Sequence, residues 1–138
     1  MKNTCALLLI CLLLAACGGE EGAETPEQAA TNFLEALQAG DREDIYKAIT
    51  RAEAESFQKI DDRLDYNRWD DSNIEEFKIV GTDLSGNRAN VTVLVTREID
   101  DKPVQAEELV VCVQERNRWK VTFSASSKTF MPSGKRPD

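Results

Sequence analysis

The hydropathy pattern divides the chain into an apolar run, a stretch of helical period and a stretch of strict alternation. Ala6–Ala16 is apolar on every face, follows a short head carrying Lys2, and stops at Cys17-Gly18-Gly19. It is too short to span a bilayer, which needs about 20 residues, and has the length of a secretion-signal core. After a Gly- and Glu-rich interval, Thr25-Pro26-Glu27-Gln28 reads as a helix start: a capping Thr, Pro at the first helical position and Gln closing a capping box. Ala30, Phe33, Leu34 and Leu37 then recur at helical spacing, and Gly40 supplies a left-handed stop. Asp41 opens a second predicted helix with Ile45, Ala48 and Ile49 on one side. Thr50 and Glu53 open a third, with Phe57, Ile60 and Leu64 as its apolar stripe and an end near Asn67 or Trp69.

From Ile74 the period becomes two. Phe77 and Ile79 alternate with charged neighbours. Ala89, Val91, Val93 and Val95 alternate with Asn90, Thr92, Leu94 and Thr96. Leu109, Val111 and Val113 share one face with Val110 and Cys112 on the other, and Trp119, Val121 and Phe123 alternate with Arg118, Lys120 and Thr122. The breaks at 83–87, 100–103 and 115–117 are rich in turn residues, so the four strands should form an antiparallel meander. Helices followed by strands predict one α+β domain, N-terminal helices packed on a curved antiparallel sheet. The expected organisation is a signal peptide over 1–16, a flexible tether over 17–24, a domain over 25–125 and a flexible tail over 126–138, which contains Pro132, Gly134 and Pro137.

Leu14-Ala15-Ala16-Cys17 resembles the lipobox of bacterial lipoproteins. That resemblance implies cleavage before Cys17 and attachment of diacylglycerol to its thiol. Several acyl chains hold a membrane where one is marginal, since each buried methylene contributes about 0.8 kcal/mol. Gly18, rather than Asp, after the cysteine implies sorting to the outer membrane, facing the periplasm. Cleavage would leave 122 of the 138 residues and, with Lys2 lost, a formal charge of −9 in place of −8. That is enough chain for one small core, and an acidic body is not drawn to nucleic acid by net charge. The expected partners are the membrane, through the lipid anchor, and a protein or small ligand. Of the four cysteines, Cys5 and Cys11 leave with the signal and Cys17 is lipidated. Cys112 is left alone in an apolar strand, as a small buried hydrophobe.

Three stretches carry a wider resemblance. Thr25–Asp41 reads as a T-P-E start followed by a helix ending in Gly-Asp. Asn87–Val93 (NRANVTV) is similar to a hairpin strand, and Asn117–Val121 (NRWKV) to a closing strand with Trp-Lys-Val. Together, over about residues 25–123, they resemble the NTF2-like (cystatin-like) superfamily and, within it, the small lipoprotein domain DUF4878. The resemblance implies a cone: a strongly curved sheet wrapped around the helices, with room for a pocket between. It leaves function open, because this scaffold carries isomerases, dehydratases and non-catalytic modules alike.

The chain contains no histidine, which removes Ser-His-Asp and Cys-His catalysis and most zinc chemistry. No cofactor and no metal site is expected. Asp61, Asp62, Asp65, Asp70 and Asp71 lack the alternating oxygens and glycine of a calcium loop. Some enzymes of the superfamily pair an Asp base with a Tyr hydroxyl, and Tyr46 and Tyr66 with Asp44, Asp62 or Asp65 are the residues that could do so here. Phe33, Tyr46, Trp69 and Trp119 are the pocket-lining candidates, with Phe33 and Tyr46 facing one interior and Trp69 at its mouth. The leading expectation is a lipid-anchored, non-enzymatic envelope module. The alternatives are a small isomerase or dehydratase and a structural or stress lipoprotein.

Overall fold

A computed structural model describes residues 22–134. The signal peptide, Cys17 and residues 135–138 lie outside the described residues. Three helices come first: α1 (Pro26–Ala39), α2 (Arg42–Ala48) and α3 (Arg51–Asp61). Four strands follow: β1 (Ile74–Ser85), β2 (Arg88–Ile99), β3 (Lys102–Glu115) and β4 (Arg118–Val121). They form one antiparallel sheet in the order β1-β2-β3-β4. The expected α+β order and meander are therefore present.

The ends of α1 are set by the residues the sequence singles out. The Thr25 hydroxyl oxygen accepts from the Gln28 amide at 3.1 Å, and Pro26 begins the helix. Gly40 ends it at φ 64°, where a Cβ would come within 2.6 Å of Asp70 Oδ1. Only glycine meets both conditions. The hairpin turns between β2 and β3 and between β3 and β4 place Asp100, Asp101, Arg116 and Asn117 at positive φ, as tight two-residue turns require. The first break is shorter than the sequence suggests, since Asp83, Leu84 and Ser85 still pair with β2.

The buried stripe of α1 lies on the concave face of the sheet and touches all four strands. Phe33, Leu34 and Leu37 meet Val91, Val93, Val95 and Val110 in one core. Phe33 packs edge-to-face on Phe123 and Phe130, with centroids 5.5 and 5.6 Å apart. Such ring pairs contribute beyond the area they bury. Breaks in the β1–β2 register at 74–76 and 79–81 bend β1 around this core.

Four expectations need correction. Helix α3 stops at Asp61, leaving Ile60 46% exposed, and a short 3-10 turn (Arg68–Asp71) makes the approach to the sheet. The Asp61 carboxylate is bound by Tyr46, Arg68 and Trp69, all outside α3. The Thr50–Glu53 box does not close on its own helix. Thr50 donates to Glu53, whose carboxylate accepts from the Phe123 and Ser124 amides, both at 2.8 Å. The end of the expected tether is fixed: Ala23 is buried and exchanges two backbone hydrogen bonds with Trp119, covering part of the outer edge of β4. The expected flexible tail is packed as far as Gly134. Ser126 and Ser127 bond the free edge of β3, and Phe130 is 4% exposed in the core.

Candidate functional site

Alternation along β2 carries the inward face from Val91, Val93 and Val95 on to Arg97. Along β3 the matching face holds Cys112, Val110, Glu108 and Ala106. Two charged residues are thereby pushed into a stripe that is otherwise apolar. Arg97 Nη1 donates to Glu108 Oε1 at 2.5 Å, with side chains 12% and 5% exposed. The guanidinium also lies 5.7 Å from the centre of the Phe130 ring. The contact is single. Arg97 Nη2 and Glu108 Oε2 are sealed from solvent and have no hydrogen-bond partner. A buried polar atom in that state is costly, so it requires a reason.

Both residues line a cavity of about 400 Å³ at the mouth of the cone, whose wall is apolar at Leu37, Ile74 and Phe130 and polar at Asp71, Ser72 and Asn73. That is within the range of small-molecule sites, roughly 300–1,000 Å³. The C-terminal segment Thr129–Ser133 forms one side. It is latched to the 3-10 turn by Asp71, which accepts from the Ser133 amide at 2.9 Å and from the Ser133 hydroxyl.

A second buried charge sits behind Trp69. Asp61, 2% exposed, accepts from Tyr46 Oη, from Trp69 Nε1 at 2.9 Å and from Arg68 Nε at 2.5 Å. Arg68 lies 5.3 and 5.0 Å from the ring centres of Phe57 and Trp69. Three donors engage both oxygens of Asp61 and the residue is 2% exposed, so the acid is closed off from a substrate proton. Burial, then the hydrogen bond and the negative charge of Asp61, raise the Tyr46 hydroxyl well above its ordinary pKa. Tyr46 therefore stays a protonated donor at neutral pH.

The pocket candidates do not meet in one interior. Phe33 is core, wholly buried beneath the sheet. Tyr46 borders an outer groove of about 890 Å³ beside α3 and turns its hydroxyl to Asp61. Trp69 is 1% exposed and lines the cone mouth. Trp119 lines a separate groove of about 520 Å³ between α1, α2 and the N-terminal segment. Asp44 is exposed and ion-pairs with Lys47 at 3.3 Å, and Asp62 and Asp65 are exposed. The acid that partners Tyr46 is thus Asp61, a residue that sequence reasoning placed only in an acidic stretch. Cys112 is fully buried, its thiol donating to the Pro26 carbonyl at 3.6 Å, and burial followed by the charge of Glu27 pushes its pKa up to about 12. Among the described residues, no three acidic or thiol side chains gather in a way that could hold a metal ion, and no helix is long and apolar enough to cross a membrane. Arg97 and Glu108 escaped notice too. Their signal is faint: one charge on each of two inward stripes, readable only once the register is known.

The chain is structurally similar to a SEC-C-motif-containing protein from Rhodopseudomonas palustris, with TM-score 0.55, 17% identity, and coverage of 73% of this chain and 77% of that one. It is also similar to a Campylobacter jejuni protein provisionally assigned as an NTF2-like transpeptidase, with TM-score 0.54, 20% identity, and coverage of 72% and 98%. At these identities the likeness speaks to fold alone, and the fold is the NTF2-like cone. No curated protein sequence matches at a significant level. Residues 15–122 match the family described as "Domain of unknown function (DUF4878)", and the chain belongs to that family.

Proposed function

We propose that the protein is a lipid-anchored, non-enzymatic module of the cell envelope that holds a small ligand in the mouth of its cone. The observation that carries the reading is Glu108, a buried acid that lines the cavity and keeps one oxygen unmatched. Chemistry finds less support. Asp61, the buried acid beside a tyrosine, is enclosed by its three donors, and the remaining acids near Tyr46 lie on the surface. The anchor rests on the lipobox Leu14–Cys17, the last three residues of which fall inside the family match. The fastening of Ala23 to β4 bears on it too. From Cys17 to Gly22 a chain of this length spans at most about 17 Å at roughly 3.4 Å per residue, so a lipid on Cys17 would hold the domain close to the membrane face. Gly18 favours the outer membrane.

Two measurements test the reading. Labelled palmitate should enter the wild-type chain and not Cys17→Ser, which should also leave the membrane fraction; equal labelling of both would remove the anchor. Protein purified from its own envelope and denatured should release a small molecule in stoichiometric amount. If nothing is released, ligand binding fails.

A further inference from the structure

Arg97 and Glu108 constrain what could fill the cone mouth. The pair is neutral as a whole, so a ligand bearing net charge would face one attractive and one repulsive partner at close range. The ion pair uses one nitrogen and one oxygen, leaving Nη2 as an unmatched donor and Oε2 as an unmatched acceptor. A group that satisfies both offers an acceptor and a donor side by side and is itself uncharged. A carboxamide or peptide-type amide has that form: the carbonyl oxygen accepts from arginine while the N–H donates to the carboxylate. Leu37, Ile74, Ala106 and Phe130 supply the apolar part of the wall and suit a hydrocarbon or aromatic body, while Asp71, Ser72, Asn73, Thr129 and Ser133 supply its polar part. We propose that the cone mouth binds a neutral amide on an apolar body, admitted when the strap Thr129–Ser133 lifts. This rests on the reading of the cone mouth as a ligand site, and adds to it the ligand class and the route of entry.

The strap is suited to that movement because its fastenings differ in strength. Phe130 is in the core, whereas Ser133 is held to Asp71 at the exposed surface. With both unmatched atoms sealed from solvent, no ligand reaches them while the strap is down. Loosening Asp71, which itself lines the cavity, should therefore speed entry.

The test uses the full purified protein in lipid nanodiscs and three water-soluble probes sharing one ring: benzamide, benzoate and benzylammonium. Trp69 lines the cavity, so its fluorescence reports both binding and the melting midpoint. At about ten times its Kd, benzamide should raise the midpoint of the wild type by about 5 °C. The two charged probes at equal concentration should raise it by less than half as much. Glu108→Gln should invert the order, because benzoate then supplies the carboxylate that Arg97 has lost. If Glu108→Gln is too unstable to purify, Arg97→Met takes its place, and benzylammonium should become the preferred probe. Asp71→Ala should bind benzamide at least threefold faster. Equal stabilisation by all three probes, an unchanged order in the variants, or no response to benzamide in wild type and Asp71→Ala alike would each overturn the proposal. Release of a small molecule with no amide from the native protein would also overturn the ligand class while leaving the binding reading standing.

Discussion

Asp61 and Glu108 are both almost fully buried, and each holds an arginine at 2.5 Å, yet their surroundings differ in what they leave over. Asp61 receives donors from α2, from the 3-10 turn and from an indole; its arginine lies beside aromatic faces and, like Arg97, keeps Nη2 unmatched, so the two pairs differ at the carboxylate. Glu108 receives one donor from the neighbouring strand and keeps an oxygen unmatched beside a cavity. A charge buried with its hydrogen bonds filled fixes local structure. A charge buried without them is a local cost that something else must offset. The first arrangement ties α2, the end of α3 and the 3-10 turn to one carboxylate. The second fits a site that is completed from outside. Burial alone would have ranked them equal, and the count of donors separates them.

The contrast is most open to attack at Asp61. Asp61→Ala strands Tyr46, Trp69 and Arg68 together, and should cost about 3–5 kcal/mol in urea unfolding, the usual loss when one member of a buried charged group is removed. A loss under about 1 kcal/mol would mean that the cluster ties nothing together. Phe130→Ala should come next, at about 3 kcal/mol, since Phe130 is buried against Phe33 and beneath Arg97. Its distinguishing mark is locality. Amide exchange should rise over Val104–Glu108 and in the strap while the amides of α3 stay protected, and exchange rising equally in both places would show that the two regions open as one.

Replacing both members of each pair sharpens the comparison further. Arg97→Met with Glu108→Leu removes two charges and both unmatched atoms, and should leave stability within about 1 kcal/mol of wild type or raise it. Asp61→Leu with Arg68→Met should still lose about 2 kcal/mol, because Tyr46 and Trp69 would remain buried with nothing to donate to. Equal outcomes for the two double variants would erase the distinction between a filled and an unfilled charge.

Local signals in the sequence reach the framework and stop short of both charge clusters. Thr25, Pro26 and Gly40 act within α1 or one turn beyond it, and the two-residue turns act within their own hairpins, so each is readable in place. The inward stripe of β2 is equally plain from alternation. Asp61 is another matter. Within its own helix it is one acid next to another, and its burial is decided by Tyr46, fifteen residues earlier, and by Arg68 and Trp69 beyond the helix end. The C-terminal segment from Ser126 to Ser133 hid for a related reason. Its Pro and Gly content reads as loose chain, while its hold comes from one phenyl ring and from serine contacts to β3 and the 3-10 turn. Non-local partners, not composition, fix such segments.

The smallest expected effect lies on the outer rim of the same sheet, where a carboxylate is crowded rather than buried. The irregular register between Ile74 and Glu76 sets Glu75 outside the regular pairing, with its carbonyl accepting from Gln38 Nε2 at 2.9 Å. The side-chain hydrogen bond with Glu98 is the main cause that raises the Glu75 carboxyl above its ordinary pKa, followed by desolvation and the charges of Glu98 and Glu76. For an acid whose folded pKa lies above its unfolded value, the folded state binds the proton more tightly. The stabilising contribution is therefore full below the unfolded pKa and disappears as pH rises through the folded one. At neutral pH only the repulsion remains. Glu75→Gln keeps a hydrogen-bonding partner for Glu98 without the second charge. Its melting midpoint should exceed that of wild type at pH 7, and the gap should close as the pH is lowered into the carboxylate range. Because the group is exposed, added salt should shrink the gap at pH 7, whereas salt should leave the cost of Asp61→Ala nearly unchanged. A Glu75→Gln gap that ignored both pH and salt would place its origin in packing and not in charge.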